Sequence, residues 1–132
     1  MGDTYITDNG KLGMLQKAFL NDKGFKYLAL GGENSSAVQS TASASNADNF
    51  QEVSGDGYSR ADLVLSNTGT KSITLYGTFD DSNYSPVGGG IIKEIAIFDS
   101  ANDGTIWGIA KVPEITKKDS VSMQYNLIIS LD

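Results

Sequence analysis

At 132 residues the chain is long enough for one domain with its own core, and it contains neither cysteine nor histidine, which excludes disulfides, thiolate metal sites and the usual general base of the neutral pH range. Sixteen acidic residues against ten basic ones give a net charge of −6, spread along the sequence, which excludes the basic footprint of a nucleic-acid binder. Apolar runs fall far short of the ~20 residues that span a bilayer, and fifteen glycines with two prolines suit a turn-rich β protein.

The opening, MGDTYITDNGK, has no charged-then-apolar signal pattern, so the expected setting is a cytoplasm. Residues 8–20, DNGKLGMLQKAFL, hold the helical pattern. Leu12, Leu15 and Phe19 recur at i, i+3 and i+7, and Met14 with Ala18 widens the apolar face. Asp8 or Asn9 is placed to cap its start and Gly24 lies past its end, although Gly10 and Gly13 lower its propensity. This helix either covers one edge or end of a sheet or docks on a neighbouring subunit. Residues 25–30, FKYLAL, predict a short strand that stops at Gly31 and Gly32. Residues 31–49 are small, polar and aperiodic and predict a long loop, either mobile on the surface or ordered against a neighbour. Residues 50–53 and 58–65 predict a hairpin across 54–57, with Glu52 and Arg60 as an ion pair.

Residues 71–79 alternate, with Ile73, Leu75 and Phe79 on one face and Thr74, Tyr76 and Thr78 on the other. Residues 80–90 are a loop by composition. IIKEIAIF (91–98) is apolar on both faces: Ile91, Ile95 and Ile97 against Ile92, Ala96 and Phe98. That predicts a central strand covered twice. Asn102, Asp103 and Gly104 supply a tight turn, TIWGIAKV (105–112) returns antiparallel, and Pro113 ends it. After a KKDS turn (117–120), the last strand sets Val121, Met123, Tyr125, Leu127, Ile129 and Leu131 against Ser122, Gln124, Asn126 and Ser130. The fold class is therefore all-β: an antiparallel β-sandwich of about seven strands with one short N-terminal helix, a single domain over 1–132.

Residues that carry chemistry are few. VGGGII (87–92) lacks the lysine and the following helix of a phosphate-binding loop and reads as a bend into a strand. Asp80, Asp81, Asp99 and Asp103 form no local calcium cage and read as solvated loop acids, and nothing selects a carboxylate pair for glycoside hydrolysis. No cofactor and no metal are expected. Trp107, the sole tryptophan, is a half-buried core residue, a sugar platform together with Tyr84, or a subunit contact. Leu12, Leu15, Phe19, Tyr84 and Trp107 are the candidate subunit contacts.

Between 87 and 130 a strand carrying Ile92, Glu94, Ile95, Ile97, Phe98 and Asp99 precedes a turn at Gly104. A strand with Ala110, then Pro113 and Lys117, and a final alternating strand follow. This order is similar to the I-x-E-I-G-L-F-D pattern of tailed-bacteriophage structural proteins, and resembles the N-terminal domain of tail-collar and tail-fibre proteins. Ala96 stands where a glycine is usual, and the match covers about 45 residues. YLALGG (27–32) and Arg60 are similar less specifically. Family members continue into a fibre shaft, whereas this chain stops at Asp132, so a stand-alone virion component or a fragment is expected. The resemblance implies a non-enzymatic virion protein, assembled in the bacterial host cytoplasm, serving as a tail, baseplate or tail-fibre anchoring adaptor. Its partners would be other virion proteins and its own copies, in threes or sixes about a tail axis. Nucleic acid and membrane are not expected partners. A capsid decoration or head-fibre role is the alternative, followed by a carbohydrate-binding module and, last, a hydrolase built on loop carboxylates. Deleting 35–47 is expected to weaken assembly and leave the monomer folded.

Overall fold

In a computed structural model describing residues 4–20, 24–38 and 49–131, a helix precedes seven strands. They are α1 (Asp8–Leu20), β1 (Tyr27–Gly31), β2 (Ala61–Asp62), β3 (Val64–Thr68), β4 (Ser72–Phe79), β5 (Gly90–Phe98), β6 (Ile106–Lys117) and β7 (Met123–Ser130). The strands form a four-stranded sheet in the order β2-β1-β5-β6 and a three-stranded sheet in the order β3-β4-β7. All pairings are antiparallel.

Alternation produces the main core. Ile73, Leu75 and Phe79 of β4 point inward and are fully buried, as expected. They meet Leu28 and Leu30 of β1 and Ile95 and Ile97 of β5. Each fully buried aliphatic or aromatic side chain contributes about 1.5–3 kcal/mol relative to exposure, so this inner layer sets the sandwich. The opposite face of β1 and β5 carries a smaller core of Ala29, Ala96 and Phe98, covered by Ala37 and Phe50. β5 is thus covered on both faces, as its composition predicts. Ile92 does not join Ala96 and Phe98, however. It packs with Ile95 and Ile97, because the β5–β6 register shifts between Ile92 and Glu94 and changes the phase of the pleat.

Helix α1 has its expected bounds but a different cap. The Thr7 hydroxyl, not Asp8 or Asn9, accepts the Gly10 N–H at 3.0 Å. Leu15 is buried, Leu12, Ala18 and Phe19 pack partly against the core, and Met14 is half exposed, off the buried face. The helix lies against β4 and β7, so it covers its own sandwich.

Three local expectations are corrected. Residues 50–53 do not form a hairpin with 58–65. Glu52 bridges Gly31 instead, and Val53 donates to the Leu30 carbonyl at 3.0 Å. Because β2 is two residues long, it leaves the far end of β1 open, and 51–53 satisfy those backbone groups. Pro113 does not end β6, which runs on to Lys117. A proline is tolerated there because β6 is an edge strand whose ladder is already interrupted nearby. The small, polar composition of 31–49 predicts a loop that adds almost nothing to a core, yet Ala37 is fully buried. Its residues 39–48 lie outside the described residues. The glycines leading into β5 do make a bend: Gly89 has a positive φ and donates to the Pro86 carbonyl at 3.1 Å, and at Gly90, the first residue of β5, the Tyr84 hydroxyl occupies the space a Cβ would need.

Candidate functional site

Two regions concentrate unusual groups, and they differ in kind. The first is polar and closed. Glu94 sits on β5, aimed at the segment that follows β1, and is 2% exposed. Ser35 Oγ donates to its Oε1 at 2.6 Å, Ala37 N–H to Oε1 at 2.8 Å and Val38 N–H to Oε2 at 2.7 Å. Ser35 Oγ accepts the Gln51 N–H at 3.0 Å in turn. Gly31 makes room for this hydroxyl, since a Cβ there would lie 2.7 Å from Ser35 Oγ. Burial pushes the Glu94 pKa up. The bonds from Ser35, Val38 and Ala37, with the Lys111 charge across the β5–β6 pair, outweigh that and hold it below the ordinary glutamate value. Glu94 is therefore an ionised clamp on residues 35–38.

Arg60 forms a second fastening. Its Nε and Nη2 grip both oxygens of Glu52 at 2.9 Å, so the expected ion pair is present and bidentate. Nη1 donates to the Ser100 and Asp103 carbonyls at 2.7 and 2.6 Å. The guanidinium lies 3.6 Å from the centroid of the Phe98 ring. The Tyr58 hydroxyl donates to Glu52 and accepts the Leu30 N–H. Burial, then the Glu52 carboxylate, raises the Tyr58 pKa far above its usual value. Arg60 thus ties the 52–60 segment to the β5–β6 turn, where Asp103 and Gly104 have positive φ. Lys117 is also closed in: its ammonium donates to the Lys118 carbonyl at 3.0 Å and lies 4.0 Å from Asp81.

These polar groups have their bonding capacity committed to the chain itself. The Asp80 and Asp81 carboxylates accept from Ser82 and from the Ser120 N–H, the Asp99 carboxylate accepts the Thr105 N–H in the β5–β6 turn, and Asp103 is held there by Arg60 through its backbone carbonyl. Among the described residues no group of three or more metal-ligating side chains is assembled.

The second region is apolar and open. β6 and β7 end their respective sheets on the same side of the sandwich without pairing with each other. A groove of about 390 Å³ runs between them. Consecutive residues line it, 107–112 of β6 and 125–129 of β7, with Ile95 and Ile97, so it follows two backbones rather than one face. Among the described residues Lys111 is the one charged lining residue, and none of the lining residues is a carboxylate. It offers shape and apolar contact but no acid–base pair. Tyr125 Oη is buried with no hydrogen-bond partner among the described residues, and its burial raises the tyrosine pKa.

Of the expected contact residues, Trp107 alone reaches this surface. It is 48% exposed, stands edge-on to Phe25 with centroids 6.0 Å apart, and donates from Nε1 to Asp99 Oδ2 at 3.3 Å. Leu15 and Tyr84 are buried in the chain's own core and present no surface. Tyr84 stands edge-on to Tyr58 there, which removes it as a sugar platform. Leu12 and Phe19 pack partly against the same core, with the Lys26 ammonium over the Phe19 ring. The structure adds Ile128, 75% exposed on the otherwise polar outer row of β7. Its signal was an apolar residue interrupting the row of Gln124, Asn126 and Ser130.

Comparisons with protein-family models, curated proteins and solved structures return no match.

Proposed function

We propose that this chain is a non-enzymatic structural module that works through its sheet edges. Its setting would be the one the sequence resemblance implies: a tail, baseplate or tail-fibre anchoring component of a tailed-phage virion. The observation that carries the assembly part is the open side between β6 and β7, where, among the described residues, an apolar groove without an acid–base pair follows two strand edges that have no ladder partner. The internal engagement of Glu94, Arg60, Glu52 and Tyr58 supports the same reading, since those side chains act as fastenings.

Quantitative mass spectrometry of purified particles tests the setting. A few copies per particle, in multiples of three or six, is the expected result. Hundreds of copies would favour capsid decoration, and no copies would remove both virion roles. The half-exposed Trp107 favours one other reading, a carbohydrate-binding surface. Tryptophan emission unmoved across a glycan panel would end it.

A further inference from the structure

The donors around Glu94 come from one short segment and converge on one carboxylate. Ser35 Oγ and the Ala37 N–H share Oε1, and the Val38 N–H takes Oε2. Ala37 belongs to the small cluster on the outer face of β1 and β5, and no residue from Ser35 to Val38 reaches the main core. The backbone bonds from Ser35 to Gly32 and from Ser36 to Asn49 stay within the segment's own loop and do not tie it to β5. Backbone pairs pin the chain on either side. Gly32 donates to the Gln51 carbonyl at 2.8 Å and Val53 to the Leu30 carbonyl at 3.0 Å, and neither bond titrates.

The charged groups near Glu94 come from β6 and from 49–53. On β6, Lys111 stands opposite it in register, and Glu114 with its partner Lys93 lines the same cavity of about 330 Å³. On β1 its register partner is Gly31, which has no side chain. Glu52 bridges Gly31, but its carboxylate is turned to Arg60 and Tyr58. Ser35–Val38 itself carries no titratable side chain.

We propose that Glu94 is an acid-released latch: its protonation frees Ser35–Val38 from β5 and lifts Ala37 off the outer face of β1 and β5 while the main core stays packed. A carboxylate has lone pairs for all three donors, whereas a carboxylic acid adds a donor of its own. In this cradle the Ser35 hydroxyl is the group that can turn to accept the new proton, and its own hydrogen then loses its acceptor. The two backbone bonds fall from charge-assisted to neutral, roughly half as strong, and the attraction of Lys111 is lost. The segment's contribution to apolar burial is Ala37 alone, so little opposes a local opening. The same bonds hold the folded pKa below the ordinary glutamate value, which puts release on the acid side of that value.

Nuclear magnetic resonance of the full, isotope-labelled chain, titrated from about pH 7 to about pH 3, tests the latch. The Ala37 and Val38 amides should leave their carboxylate-bonded positions and lose exchange protection in one transition. Its midpoint should equal that of the Glu94 side-chain carboxyl carbon, while Ile73 and Leu75 in the main core stay protected. Glu94→Gln should show the open signals already at neutral pH. Its amide nitrogen has to face either the Ala37 or the Val38 N–H, and that backbone donor then has no acceptor. Protection of Ala37 and Val38 that is lost only together with Ile73 and Leu75 overturns local release. A midpoint different from that of the Glu94 carboxyl carbon overturns it too and passes the role to another carboxylate, Glu52 first. So do closed signals in Glu94→Gln at neutral pH. Should that variant fail to fold, the carboxyl midpoint in the unaltered chain decides.

Discussion

The Glu94–Arg60 region and the β6–β7 side use the same kind of strand for opposite purposes. Around Glu94 and Arg60, buried polar groups meet partners at 2.6–2.9 Å, and loops distant in sequence are held to β5. Along β6 and β7, apolar side chains are only partly covered and the outer strand edges have no ladder partner among the described residues. The contrast teaches how to separate fastening from interface. A charge that is buried and fully bonded acts on its own fold, whereas an apolar, uncharged, unpaired edge is directed outward.

That contrast can be broken by mutation. The largest effect is expected at Glu94. Glu94→Ala leaves the buried Ala37 amide and Ser35 hydroxyl without their acceptor, at about 1–3 kcal/mol per orphaned group. Urea denaturation should show a loss of about 3 kcal/mol or more. Deleting 35–47 removes the same donors to Glu94 and should destabilise the free monomer as well. An unshifted midpoint in either variant would remove the clamp.

Arg60→Ala should cost about 2 kcal/mol, and Arg60→Lys should recover little, because an ammonium cannot grip Glu52 bidentately while reaching Ser100 and Asp103. Full recovery by lysine would mean that charge alone matters at this position.

The pH dependence follows from Glu94. Its folded pKa is depressed, so its contribution is present above the unfolded glutamate value and is lost as pH falls through the folded one. Stability measured downward from about pH 5 should fall, with a shallower slope in Glu94→Gln. Equal slopes would place the acid sensitivity in other carboxylates.

Smaller effects are expected on the open side. Trp107→Ala should cost the free chain only about 1 kcal/mol, the scale of one aromatic edge contact, while reducing incorporation into particles. Tyr125→Phe should leave the free chain equally stable or up to about 1 kcal/mol more stable, since it removes a buried hydroxyl without a partner among the described residues. A marked loss in thermal unfolding would show that this hydroxyl is bonded in the chain.

Period and composition determined much of this protein by themselves. The alternation of 71–79 and 123–131, the doubly apolar 91–98 and the helical spacing of Leu12, Leu15 and Phe19 each dictate an element, and its buried side too except at Ile92, which a register shift turns to the other face, while Val121, expected on the inner row, lies before β7 and is exposed. The Glu52–Arg60 pair was legible too, since eight residues across a turn bring opposite charges within reach. Tertiary structure alone decided the rest. Residues 51–53 joined β1 rather than a local hairpin because a short β2 left its backbone groups open. Glu94, read in sequence only as one position of a strand motif, became a clamp because the fold brought it Ser35, 59 positions away. Leu15 and Tyr84 went inward while Trp107 stayed at the rim, since burial depends on what packs opposite. The side between β6 and β7, unpaired among the described residues, follows from strand order, which is set by contacts between segments far apart in the chain and carries no local periodic trace.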